Sequence, residues 1–129
     1  MNDTSIASKA KAQLAGGRVA HPWGTVTART KIDDVSPMVW GKYEALDKPV
    51  VDNLEKMAKA KCVPMAQLAL AWMLSKPHIT APIVGTTSER HIEEAVAALD
   101  VKLSDEEIAA LEVPYVPHQP VDNNGQLAF

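Results

Sequence analysis

The chain has 129 residues, 47% of them apolar and 22% charged, with a formal net charge of −3. That length holds one domain with a real core, and the weak negative charge excludes a general binder of nucleic acid or of anionic membranes. No apolar run approaches the length of a membrane-spanning helix, and the start of the chain, Met1 to Lys11, lacks the apolar centre of a signal peptide.

Residues 1–12 are polar and rich in Ala, Lys and Ser, and are expected to form a variable segment that frays or makes a weak helix. Residues 13–36 show no sustained periodicity and contain Gly16, Gly17, Pro22 and Gly24, which predicts a long loop; loops of that length inside a domain are usually functional or disordered. Arg18, His21, Trp23 and Arg29 lie in it. Trp23 needs a surface to lie on, a ligand or the rest of a larger protein. A short helix is expected from Pro37 to about Leu46. Asp47 then reads as the N-cap of a second helix with Pro49 in its first turn. Val50, Leu54, Met57 and Ala58 form its apolar face. Cys62, at the end of that helix, is the only cysteine. No internal disulfide is possible, a reducing cytoplasm is the expected setting, and Cys62 itself reads as a small buried hydrophobe.

Pro64 opens the next helix, Met65 to Leu74. Only Gln67 in it is polar, which predicts burial nearly all round. After Ser75-Lys76-Pro77 comes an apolar run with β-branched Ile79, Thr80, Ile83 and Val84, which predicts a buried strand of the parallel type. Gly85 ends the run, and Thr86, Thr87 and Ser88 can each cap a helix. Ile92, Val96 and Leu99 then recur at helical spacing. In parallel α/β folds such a strand-turn-helix unit places its turn where ligands bind, and the N–H groups of a helix start attract anions, phosphate above all. Arg90 adds a planar cation suited to phosphate. A strand-turn-helix unit with hydroxyl residues at its turn is, in most proteins, simply a capped helix. Further on, Ser104 and Glu107 have capping-box spacing, opening a helix with Ile108 and Leu111 that stops before Pro114. The tail from Tyr115 reads as an extended arm. His78 reads as a surface residue and His118 as solvated; no His/Cys pair has metal-ligand spacing.

One strand cannot form a sheet, because its backbone groups would be buried without partners. The pattern therefore describes part of a larger α/β domain.

Gln67-Leu68-Ala69-Leu70-Ala71-Trp72, then Pro82-Ile83-Val84-Gly85-Thr86-Thr87-Ser88, His91-Ile92-Glu93-Glu94 and Leu103-Ser104 with Glu107, Ile108 and Leu111 resemble, in order and spacing, the C-terminal part of the aldo-keto reductase family. The tail Pro114-Tyr115-Val116-Pro117-His118 looks like that of a bacterial branch. The resemblance spans 13–118, and 119–129 is left as an extended tail. It implies roughly the last third of a (β/α)8 TIM barrel, an α/β fold. This piece is expected to be predominantly helical with one short strand at Ile79–Val84.

The resemblance further implies NADP(H) as cofactor, a carbonyl compound as substrate, and a site assembled in the full barrel. Leu14, Ala15 and Gly17 resemble the loop that meets the pyrophosphate, although the Ser-Pro that precedes it in the family is replaced by Lys11, Ala12 and Gln13. Arg29 resembles the loop arginine facing the adenosine phosphate. Gly85, Thr87, His91 and Glu94 fall on positions that wrap the adenosine end; His91 stands where Gln is frequent and Ala95 where Asn is common. Arg90, from its place in the helix, is a second phosphate candidate. The family's catalytic Asp, Tyr, Lys and His come from the first half of the barrel, and no segment here resembles those that carry them. No catalytic residue is therefore expected, Tyr43 and Tyr115 standing in the wrong context, and the chain alone is expected to be inactive. Two readings follow. In one the chain is a fragment of such a reductase, from a truncated gene, a split gene or a mis-assigned start, whose partner is the missing N-terminal part of the barrel. In the other it is a helical binding or interaction module that has lost catalysis.

Overall fold

The computed structural model describes residues 17–27, 31, 43–86 and 88–118. They form four helices: α1 Glu44–Lys61, α2 Met65–Leu74, α3 Glu89–Ala97 and α4 Asp105–Glu112, with a 3₁₀ turn at Ala98–Asp100 after α3. The core lies where α1, α2 and α4 meet. Val51, Leu54 and Ala58 of α1, Met65, Leu68 and Ala69 of α2, and Leu111 of α4 are buried together, with Trp23, Val63, Trp72 and Leu103 packed against them. Leu68 is fully enclosed at 0% exposure. On its other side α2 packs against α3 and the 3₁₀ turn, where Ala98 is buried.

Local chemistry explains the element ends. The Ser104 side chain accepts from the Glu107 N–H at 3.2 Å, and the Glu107 carboxylate accepts from the Ser104 N–H at 2.9 Å, so the predicted capping box is present at α4. α1 ends in a Schellman turn: the Val63 N–H reaches the Ala58 carbonyl at 3.0 Å and the Cys62 N–H the Lys59 carbonyl at 3.2 Å. The turn places Cys62 at φ 55 and ψ 39, the left-handed position usually filled by glycine. Cys62 is exposed there, so the expected buried hydrophobe is corrected. The side chain follows the cap geometry and points away from the core.

Two helix boundaries also differ from expectation. The part of the expected Pro37–Leu46 helix at 37–42 lies outside the described residues, and from Glu44 the chain forms one helix that runs through Pro49. Asp47 is therefore inside α1 and not its N-cap. Pro49 has no N–H to return to the Ala45 carbonyl, so tertiary contacts hold the first turn: Arg18 pairs with Asp47 at 3.2 Å and Glu44 at 3.8 Å, and the His118 Nε2 lies 2.7 Å from Asp47. The larger correction concerns Ile79–Val84. These residues form neither strand nor helix, the Ile79 N–H donating to the Lys76 carbonyl at 3.1 Å and Thr80 lying in a bend, and no strand occurs among the described residues. A strand is defined by its ladder, and no neighbouring strand is present to make one. Ile83 and Val84 are 60% and 42% exposed. α2 matches its predicted burial in part: Met65 and Leu68 to Ala71 are buried, while Gln67 and Trp72 to Leu74 are half-buried.

Candidate cofactor-phosphate site

The turn from Gly85 to Glu94 carries most of the described candidates. Ser88 occupies the N-cap of α3 in extended conformation, yet its side chain makes no capping hydrogen bond. The Thr86 hydroxyl instead braces the loop before the helix: it accepts from the Ser88 N–H at 3.0 Å and lies 3.0 Å from the His91 Nδ1. The His91 N–H in turn donates to the Ser88 carbonyl at 3.1 Å. Thr86 and His91 thus fix the loop to the first turn of α3. The end of the helix where backbone N–H groups concentrate stays at the surface, Glu89 to His91 being exposed.

Arg90 Nε lies 3.1 Å from Glu94 Oε1, and the arginine side chain is 75% exposed. Two residues predicted for the same ligand therefore engage each other, in the i,i+4 pairing that helix geometry favours. A phosphate would compete with Glu94 for Arg90. Thr87, Arg29, Leu14 and Ala15 lie outside the described residues.

Gly17 stands in a second place. Its φ is +97, a conformation that disfavours any side chain, and a Cβ built there meets nothing within 4 Å. The position thus demands glycine for its backbone and leaves the approach to that backbone open. The Gly17 carbonyl accepts from the Ala20 N–H at 3.1 Å, closing a tight turn. The neighbouring Arg18 is fully engaged: besides Asp47 and Glu44 it lies over the Trp23 ring, 5.4 Å from the centroid. Trp23 accordingly finds its surface within this chain, against the core and under Arg18.

Sequence reasoning missed the centre of this arrangement. Asp47 joins three distant segments, because its second oxygen holds His118, whose ring stacks on Tyr43 with centroids 4.1 Å apart and planes 4° from parallel. The expectation that His118 is solvated is corrected: a carboxylate and an aromatic face enclose it. No local pattern announces a contact between residues 47 and 118. The available signal is Asp47 two residues before a proline, a pattern that also fits a cap.

The aldo/keto reductase family model matches residues 16–113. The chain belongs to the aldo/keto reductase family. It is 43% identical over 106 residues to versiconal hemiacetal acetate reductase of Aspergillus parasiticus, a stretch that is 81% of this chain and 31% of that protein. It is 32% identical over 117 residues to aldo-keto reductase NECHADRAFT_45914 of Fusarium vanettenii, covering 90% of this chain and 31% of that protein. A third relative, aldo-keto reductase AFTS1 of Alternaria alternata, is 31% identical over 115 residues, 88% of this chain and 30% of that protein. The chain thus spans about a third of the length of the curated relatives it matches. These relatives are fungal, and the similarity shows the family but not a bacterial branch of it. The family implies a TIM barrel and, in general, a nicotinamide cofactor.

Proposed function

We propose that this chain supplies the adenosine and phosphate side of an NADP(H)-dependent carbonyl reductase in a reducing cytoplasm, and that the acid-base residues of the reaction lie in parts of the barrel it does not contain. The observation that carries the reading is the start of α3: an N-terminus without a side-chain cap, braced by Thr86 and His91, with Arg90 one residue into the helix. The donor set fits a phosphate, offering backbone N–H groups, a hydroxyl, an imidazole and a guanidinium. The open Gly17 turn suits the approach of a pyrophosphate to bare backbone. Bound there, the cofactor would supply the hydride that reduces a carbonyl to an alcohol. This chain's residues would fix its adenosine end, with Gly85, Thr87, His91 and Glu94 around the adenosine and Arg29 and Arg90 on the 2′-phosphate.

The test joins this chain covalently to the portion of the A. parasiticus reductase outside the matched stretch, and titrates NADP(H) and NAD(H) against wild type, Arg29→Ala and Arg90→Ala. A charge-assisted bond to phosphate contributes about 1.5–3 kcal/mol, so losing one weakens NADP(H) by about ten- to a hundredfold. Arg90→Ala is expected at the lower end, because Glu94 already engages that arginine. NAD(H), which lacks the 2′-phosphate, should change little. Equal losses for both cofactors, or none in either variant, would refute the assignment. The exposed apolar face of α3 favours the second reading, a non-catalytic interaction module, and absence of cofactor binding in the joined protein would select it.

A further inference from the structure

The face of α3 turned away from Arg90 is apolar and open. Ile92, Val96 and Leu99 are 54%, 59% and 58% exposed, and with Leu74, Pro82 and Val84 they line a groove of about 390 Å³. A monomeric surface rarely leaves large apolar side chains contiguous in this way. One edge of the groove carries charge of mostly one sign. At about 100° per residue along a helix, Glu89, Glu93 and Asp100 fall on the flank beside Val96, and Ala98, buried against α2, falls on the opposite flank. The three carboxylates are exposed, and none has an ion-pair partner among the described residues. Arg90 does not serve this edge, because it pairs with Glu94 on the back of the helix. Lys102, whose Nζ donates to the Leu99 carbonyl at 3.2 Å, is a cation at one end of the groove and offsets one of the three charges.

The apolar floor and the acidic edge together select the occupant. No strand occurs among the described residues, so a partner gains no ladder here and must bring side chains. A helix does so with anchors at i, i+3 or i+4 and i+7, the same spacing as Ile92, Val96 and Leu99. A small apolar ligand would fill the floor and leave the edge unused. A second copy fits poorly: in an antiparallel two-fold pair of helices like flank lies against like flank, so it would set its own Glu89, Glu93 and Asp100 beside these. An anionic membrane surface is repelled by the same edge. A helix with Lys or Arg along one flank is attracted by it. At about 1.5 Å per residue, Ile92 to Leu99 spans about 10 Å and Glu89 to Asp100 about 16 Å, which about three turns of a partner helix cover. We propose that the groove is a docking site for an amphipathic helix of another protein, whose apolar face fills the floor and whose basic flank lies along Glu89, Glu93 and Asp100. The proposal names a partner chemistry for the interaction-module reading under Proposed function and rests on that reading; the cofactor has no part in it.

The experiment uses the full 129-residue chain without cofactor and two labelled synthetic helices of about fourteen residues. The two share their leucine anchors; one is flanked by lysines, the other by glutamates. Fluorescence anisotropy should show the lysine helix bound about tenfold more tightly than the glutamate helix, with the difference shrinking as salt is added. Glu93→Lys combined with Asp100→Lys should reverse the preference; both side chains are exposed, so neither change touches the core. Val96→Ser should weaken both helices severalfold by removing apolar contact. Glu93→Gln should weaken the lysine helix severalfold, whereas Glu106→Gln, the same change of charge at an exposed position on α4, should leave it unchanged. No binding of the lysine helix, equal binding of the two helices, or equal effects of Glu93→Gln and Glu106→Gln overturns the proposal. So does a homodimer of this chain that Val96→Ser dissolves, which would make a second copy the occupant. Cofactor titration of the joined protein is a separate readout: its failure leaves helix binding to be measured here, and failure here leaves the cofactor assignment standing.

Discussion

Asp47 is the residue whose loss should be felt furthest along the chain. Its carboxylate holds Arg18 at 3.2 Å and His118 at 2.7 Å, with the Arg18 and Asp47 side chains each 19% exposed and that of His118 26%. Fully exposed ion pairs contribute about 0–1 kcal/mol, and hydrogen bonds to charged groups about 1.5–3 kcal/mol when shielded. These pairs lie between the two regimes, at about 1 kcal/mol each, so Asp47→Ala should destabilise by about 2 kcal/mol. Arg18 keeps Glu44 and the Trp23 face, which limits the loss at that end. With a urea slope of roughly 1.5 kcal/mol per molar, the midpoint should fall by about 1 M. A double-mutant cycle between Asp47→Ala and His118→Ala should return a coupling of about 1 kcal/mol. Amide exchange adds a local readout: the Ala20 N–H, bonded to the Gly17 carbonyl, should lose protection before the α2 amides do. A coupling below about 0.3 kcal/mol, or Ala20 protection unchanged in Asp47→Ala, would refute the view that this carboxylate fastens the Gly17 turn.

Three further outcomes follow from the helix ends and their charges. Ser104→Ala should cost about 1 kcal/mol by removing half of the capping box, read as a lowered unfolding midpoint. Cys62→Gly should stabilise by about 0.5–1 kcal/mol by relieving the left-handed backbone, whereas Cys62→Val should destabilise, both measured by urea unfolding. Glu107, held by Lys61 and then by the Ser104 N–H, and Glu112, held by Lys76 and then by the Trp72 indole, have carboxyls lowered from the ordinary value of 4.5. A depressed folded value means that their stabilisation is present at neutral pH and fades as pH falls below about 4.5 through the folded values. Glu112→Gln should therefore flatten the acid limb of stability against pH, as followed by circular dichroism.

Where information was local, the sequence carried it. The capping box at Ser104 and the end of α4 before Pro114 depend on residues within a turn or two of each other, and each is found in the structure. The tertiary terms were not legible. Whether Pro49 starts a helix or sits inside one is decided by Arg18 and His118, which lie 31 and 69 positions away. The hydrophobicity of Cys62 points to the core, while the Schellman turn needs a left-handed residue at that point and leaves the side chain exposed. The failed strand is the most instructive, since Ile79 to Val84 have the composition of a strand but a ladder needs a second segment. At the candidate site the sequence named His91 and Glu94, but it could not show that His91 would take Thr86 or that Glu94 would take Arg90.

The proline within α1 has a consequence for motion. A helix normally opens from its ends in small steps, each residue releasing one backbone bond. Here the series is interrupted at Pro49, so Glu44 to Lys48 can come away without unravelling Val50 to Lys61, whose buried Val51, Leu54 and Ala58 remain clamped by α2 and α4. When that first turn lifts, Arg18 and His118 lose their shared carboxylate together, and the Gly17 turn and the Tyr115–His118 segment are released in the same event. Two stretches nearly a hundred residues apart would then exchange amide protons with a common opening rate, slower than a fraying end and faster than global unfolding.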